Sequence, residues 1–233
     1  MREKSKLWIY TLVFLGLLVI TSNCKKKDDN NPTSTGNTVS DKDGNIYHTI
    51  TIGKQTWMVE NLKTTRFNDG KVIPKVTDPK IWLSMATSAY CWYNNDTNFN
   101  KAGYGILYNW YTINTGKLCP NGWHVPTEAE WTTLINYLGG EGVAGCKLKE
   151  PGFKHWFSPN TCANDSSGFS AFAGGYRDST GVFDYYGYSG FWWSSSLYSS
   201  KSAWVNGINY GYSGVTSYGE IKNWGFSIRC IRN

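Results

Sequence analysis

The sequence predicts an α+β fold, on three observations. Aromatic residues make up 16% of the chain, with twelve Trp and sixteen Tyr, a composition that suits strands and loops stiffened by large rings. Twenty-five glycines supply the positive φ that tight turns require. One strongly signalled helix stands mid-chain, and a run of short strands follows it.

The elements follow in order. Tyr47, Thr49, Thr51 and Trp57 lie among β-branched residues, with Gly53-Lys54 as a break and Asp43-Gly44 as a turn before them; this reads as a β-hairpin. Residues 61–102 read as irregular. Ile106, Trp110 and Ile113 are spaced at helical intervals, which predicts a short helix over 105–113 ended by Asn114-Thr115-Gly116. Thr127-Glu128-Ala129-Glu130 is a capping box. Trp131, Leu134, Ile135 and Leu138 then form one apolar stripe, and Gly139-Gly140 supplies the stop. From Gly168 onward the chain reads as strands and turns. Tyr176-Arg177 and Val182-Phe183 flank a turn, and further strands are Phe191-Trp192-Trp193, Ala203-Trp204-Val205 and Gly225 to Cys230. Asn206-Gly207 has the chemistry of a hairpin turn, and Tyr210 to Gly214 competes with it. Tyr-Gly-Tyr-Ser-Gly occurs at 186–190 and again at 210–214, which reads as reuse of turn chemistry.

The N-terminus has a different character. Arg2, Lys4 and Lys6 precede an apolar segment from Leu7 to Ile20, then Thr21-Ser22-Asn23 and Cys24. That order describes a secretory signal peptide, and the apolar run is short for a membrane span. A cysteine placed directly after it resembles the lipidated cysteine of bacterial lipoproteins, in the looser form found in Bacteroidota. Lys25-Lys26-Lys27-Asp28-Asp29 resembles the charged tag that sends some of these to the outer face of the outer membrane. The competing readings are an ordinary cleaved leader and an uncut anchor. Residues 25–40 carry almost nothing apolar to bury, so 24–40 reads as a tether.

Charge and chemistry narrow the function. The net charge of +6 includes the leader, and no basic block lies beyond residue 27, so nucleic acid is not an expected partner. Five cysteines follow Cys24; export favours pairing, and an odd number leaves one over. No Cys-x-x-Cys occurs, and His48, His124 and His155 are not spaced to share a metal. Asp41, Asp43 and Gly44 outline a calcium loop, but the twelfth position is Ile52 where an acid is needed. No Gly-x-Ser-x-Gly elbow is present. Glu128 and Glu130 could form a glycosidase pair, but capping already accounts for them, and His124 reads as structural. Trp193, Trp204 and Trp224 read as core. Tyr185, Tyr186, Tyr188, Tyr210 and Tyr212 sit in Gly- and Ser-rich turns, where exposed rings could stack on a sugar or a protein.

Three segments carry a family resemblance: Leu118-Cys119-Pro120-Asn121-Gly122-Trp123-His124-Val125-Pro126-Thr127-Glu128-Ala129-Glu130-Trp131, Gly174-Gly175-Tyr176-Arg177, and Gly225-Phe226-Ser227-Ile228-Arg229-Cys230-Ile231-Arg232. In this order and spacing the chain resembles the Fibrobacter succinogenes major paralogous domain, from about residue 42 to the C-terminus. The resemblance implies a C-type lectin-like or formylglycine-generating-enzyme-like fold: two helices packed on a twisted, mostly antiparallel sheet, with long loops. It makes 203–209 one strand and places the turn at 211–214. It implies a Cys119–Cys230 disulfide. Cys146 and Cys162 stand where relatives carry small residues, which implies a second, local bridge and leaves Cys91 unpaired. The catalytic cysteine pair of the formylglycine-generating enzymes has no counterpart between Trp192 and Gly225, and the sugar-binding triplets of the lectins are missing.

The expected organisation is a signal peptide at 1–23, a lipidated Cys24 with its tether at 24–40, and the family domain at 41–233. The expected function is a non-catalytic cell-surface lipoprotein of a Gram-negative outer membrane. It would be held to the membrane by its lipid, would bind an extracellular glycan or protein, and would need no cofactor or metal. The alternatives are an extracellular enzyme acting on polysaccharide or peptide, and a structural envelope component.

Overall fold

The structure, a computed structural model, describes residues 37–233. The signal peptide, Cys24 and most of the tether lie outside the described residues. The chain begins with strands β1 (Thr38–Ser40), β2 (Ile46–Ile52) and β3 (Gln55–Met58). Next come α1 (Pro79–Leu83), β4 (Tyr90–Cys91), α2 (Thr97–Lys101), β5 (Leu107–Tyr108), α3 (Trp110–Ile113) and β6 (Trp123–His124). Two longer helices follow, α4 (Glu128–Tyr137) and α5 (Glu141–Leu148). The chain then runs through β7 (Gly174–Arg177), β8 (Phe183–Tyr186), β9 (Ser189–Leu197), β10 (Ser202–Asn209), β11 (Val215–Ile221) and β12 (Ile231–Arg232). It is a mixed α+β fold with mostly antiparallel sheets.

One five-stranded sheet has the order β1-β2-β3-β12-β6, the other β11-β10-β9-β7-β8, and β4 with β5 makes a small ribbon. Only β7 and β9 pair in parallel among these strands. The hairpin of β2 and β3 turns at Gly53-Lys54, with Ile52 opposite Gln55. In the second sheet the central strands β9 and β10 bury side chains on both faces, successive strand residues pointing to opposite sides. Trp193, Ala203 and Val205 pack with Phe226, Ile228, Tyr108 and the Cys119–Cys230 bridge. On the other face Trp192, Ile208 and Val215 pack under α4 and α5, with Trp57 and Phe169.

In α4 the Thr127 hydroxyl accepts from the Glu130 amide at 3.3 Å, and the Glu130 carboxylate accepts from the Thr127 amide at 2.8 Å. Trp131, Leu134, Ile135 and Leu138 are buried. Gly139 and Gly140 both take positive φ. They end α4, and Gly140 then caps α5.

The second substantial helix is therefore α5, not 105–113. Leu107 and Tyr108 pair with Cys91 and Tyr90, and Asn109 caps Thr112, so helical geometry starts only at Trp110. Helix α5 carries Gly142 and Gly145, poor helix formers, and its support is tertiary. A Cβ on Gly145 would fall on the Gly214 carbonyl, so the helix backbone lies directly against the β10–β11 turn. Within 61–102, Asp78 and Asp96 cap the single-turn helices α1 and α2.

Strand β10 is continuous through Asn206-Gly207, and the turn falls at 210–214. The segment 225–230 forms no regular ladder. Gly225 pairs with Arg177, Phe226 with Tyr108 and Ser227 with Trp192, and the Met58 amide donates to the Cys230 carbonyl at 3.0 Å. It is a seam that bonds to both large sheets and the ribbon. Two disulfides are formed: Cys119–Cys230, closing 111 residues, and Cys146–Cys162, closing 16.

Candidate functional site

The polar residues of the motif segments are largely satisfied internally. Arg177 is fully buried and donates to the carbonyls of Val76 at 2.6 Å, Thr77 at 2.9 Å and Gly181 at 3.2 Å. Its guanidinium also lies 4.4 Å from the Trp82 ring centre, a favourable cation–π contact. Arg229, equally buried, donates to the Phe169 carbonyl, to that of Ser170 at 3.1 Å and to Asn61 Oδ1 at 3.2 Å. His124 is held between Asn233 Oδ1 at 2.7 Å and the Glu130 carboxylate at 2.9 Å. Glu128 accepts from Asn206 Nδ2 at 3.0 Å, and partial burial raises its pKa.

Asp41 and Asp43 likewise have protein donors. Asp41 accepts from the amides of Asp43 and Asn45, and Asp43 from the Thr65 hydroxyl, with Arg66 at 3.3 Å. Among the described residues Cys91 has no disulfide partner; it is buried, and burial pushes its thiol up to about 12. Trp193 is fully buried, whereas Trp204 and Trp224 are only half-buried. Among the described residues, no group of three His, Cys, Asp or Glu is placed to hold a metal ion.

The tyrosines divide. The two Tyr-Gly-Tyr-Ser-Gly copies form adjacent turns, one between β8 and β9 and one between β10 and β11. The Tyr210 amide donates to the Tyr188 carbonyl at 2.8 Å, and the two rings meet edge to face with centres 5.2 Å apart. Tyr212, Tyr188 and Tyr185 are exposed by 71%, 44% and 43%, which leaves most of the Tyr212 ring in water. Tyr185 holds a positive φ of 62°, uncommon for a bulky residue. Tyr210 is half-buried against the core. Tyr186 points into a cluster with Tyr93, Phe99 and Tyr104, joined to the turns through Phe157, whose ring centre lies 6.0 Å from its own.

The 150–162 loop ties the two turns together. The Phe157 amide donates to the Gly187 carbonyl at 2.8 Å, and the Thr161 amide to that of Tyr210 at 2.7 Å. The half-exposed Phe157 ring packs edge-on against Tyr188, with centres 4.9 Å apart. Lys149 lies beneath, fully buried, with Nζ donating to the carbonyls of Asn209 at 3.1 Å and Tyr212 at 2.7 Å. Burial lowers its pKa to about 8, because a low-dielectric site disfavours the ammonium.

Beside these turns a cleft of about 450 Å³ opens over β9, β10 and β11, a size typical of small-ligand sites. Phe191 opposes Gly207, and Gly207 opposes Thr216. A Cβ on Gly207 would meet the Phe191 ring at 3.0 Å, so glycine lets that ring lie down on the strand. Ser189, Asn209, Thr216 and Tyr212 add polar groups, and Glu141 stands on the wall. A second hollow of about 300 Å³ is bounded by Asp184, Tyr185 and Tyr188. The Tyr185 and Phe191 ring centres are 6.1 Å apart, so the two hollows neighbour each other.

The sequence reading missed Phe191, Gly207, Thr216, Phe157 and Lys149. One signal was available: a glycine inside a strand marks close approach of another group, and Gly207 is that glycine.

The model of the Fibrobacter succinogenes major domain matches residues 50–232, and the chain belongs to that family. Neither curated proteins nor solved structures yield a match.

Proposed function

We propose that this chain is a non-catalytic, lipid-anchored domain displayed outside the cell, and that it binds an extracellular glycan or protein through the end built from the two tyrosine turns. One observation carries the reading: Tyr185, Tyr188, Tyr212 and Phe157 are gathered at one end with their rings partly in water. Rings so placed offer stacking area at little entropic cost. The groups best suited to chemistry are engaged elsewhere. Glu130 caps α4 and holds His124, and the Cys91 thiol is buried and protonated.

The anchoring part of the proposal rests on Cys24 and its flanks, with cleavage before Cys24 and export to the surface of a Gram-negative outer membrane. We assign the fold to the C-type lectin-like class, supported by two full helices beside the twisted sheets and by the bridge from Cys119, ahead of α4, to Cys230 next to β12.

The test uses the full-length chain expressed in a Gram-negative host. Radiolabelled palmitate enters the protein and is lost in Cys24→Ser. The detergent-purified chain binds at least one component of a glycan array or one envelope-external protein, and binding falls in Tyr188→Ala with Tyr212→Ala. Binding that survives the double variant sinks the assignment of the site.

A further inference from the structure

We propose that the cleft over β9–β11 is a subsite for an uncharged saccharide, one sugar ring lying on Phe191. This rests on the binding reading above and gives it a ligand class. Phe191 forms an apolar wall only because Gly207 has no side chain; register sets the two opposite each other. A pyranose presents a C–H face beside hydroxyls that both donate and accept, and the cleft offers the complement of each. The Ser189 hydroxyl accepts from Asn209 Nδ2 at 2.9 Å, which leaves its own proton free to donate. Thr216 Oγ1 donates to the Gly207 carbonyl at 3.3 Å, which leaves its lone pairs free to accept. Tyr212 brings a phenol to the rim.

Charge decides against other ligands. No Lys, Arg or His lines the cleft, and Glu141 does, so an anionic ligand would meet repulsion without a counter-ion. An aliphatic ligand would cover the free Ser189 proton and the free Thr216 lone pairs without answering either, which is costly. A volume of about 450 Å³ matches a small ligand rather than a flat protein face. The rim is held from within by Lys149 on the carbonyls of Asn209 and Tyr212, and by Gly145 against the turn, so the subsite is formed before ligand arrives.

The experiment titrates the full-length chain in detergent micelles by calorimetry. The probes are neutral oligosaccharides of glucose, galactose, mannose and N-acetylglucosamine, with oligogalacturonate as the anionic counterpart. At least one neutral probe binds saturably, and oligogalacturonate binds at least about tenfold more weakly. Phe191→Ala weakens binding about tenfold, and Tyr212→Ala and Thr216→Val weaken it severalfold. Those last two positions are partly or largely exposed, so they remain informative if Phe191→Ala fails to fold. Absence of binding by every neutral probe, preference for the anion, or indifference to both exposed variants overturns the subsite.

A photo-crosslinking residue in place of Tyr212, used on intact cells, separates the two levels. A crosslink to an external protein with no saccharide response removes the saccharide and keeps the outward-binding reading. Neither crosslink nor saccharide response removes both.

Discussion

At Arg177 and Arg229 a charged side chain is sealed inside the protein and answered mainly by main-chain oxygens. At Tyr188 and Tyr212 a large ring stands partly in water with the backbone beneath it tied down. The first region holds the segments by which the family is recognised; the second holds the rings free to meet a ligand. The difference teaches that the recognisable residues of this domain hold its scaffold, and that function must be sought where the scaffold delivers turns.

Breaking the two disulfides separately gives the largest effects. Cys119 and Cys230 close 111 residues and Cys146 and Cys162 close 16. The chain-entropy model then assigns about 5 kcal/mol to the first bridge and about 3 kcal/mol to the second. Urea unfolding of the two double alanine variants shows the first as the less stable, and only the second disturbs the aromatic end, because Cys162 anchors the loop that carries Phe157.

Arg229→Met follows. It leaves the carbonyls of Phe169 and Ser170 buried without a donor, at a cost of about 3 kcal/mol or more in the same measurement. Arg229→Lys recovers only part of this, since one ammonium cannot reproduce the fork of the guanidinium.

Gly145→Ala tests the close approach behind the second region. Its backbone is helical, so alanine brings no strain of its own, but the Cβ would stand 2.4 Å from the Gly214 carbonyl. The expected loss is about 1–3 kcal/mol, with chemical shifts of 211–216 moving more than those of the first sheet. Equal shifts throughout would erase the distinction between the regions.

The smallest effect is a slope. Lys149 titrates near 10.5 when exposed and is lowered to about 8 by burial. Between those values the unfolded chain binds more protons, so stability rises with pH, by at most about 1.4 kcal/mol per pH unit. Below pH 8 both states are protonated and the slope vanishes. The usable window closes near pH 9, where the Cys91 thiol, raised by burial to about 12, begins to favour the unfolded chain; buried tyrosines such as Tyr47, whose pKa is raised, join it near pH 10. Lys149→Met abolishes the rise between about pH 8 and 9; persistence of the rise assigns it elsewhere.

The regular parts of this fold were written locally. The capping box of Thr127 and Glu130, the stripe from Trp131 to Leu138 and the break at Gly53-Lys54 each act through neighbours in sequence, and the structure places α4 and the β2–β3 hairpin accordingly. Helix α5 was illegible because Gly142 and Gly145 deny it propensity, and the turn it packs on lies about seventy residues away. Helix 105–113 was misread because the strand partners of Leu107 and Tyr108 stand at Cys91 and Tyr90, a pairing no local period records. The tyrosine turns were visible as turns. Their adjacency was not, and the cleft exists only through the register that sets Phe191, Gly207 and Thr216 side by side.

The arginine clamps have a consequence for how this domain can vary. A guanidinium that grips a peptide oxygen does not read a side chain that points away from it. Thr77, held through its carbonyl with its side chain exposed, can be rewritten and still dock, whereas Phe169 belongs to the core and Gly181 has no room for a Cβ. The turn at residue 77 can thus change its outward side chain while its mooring stays the same.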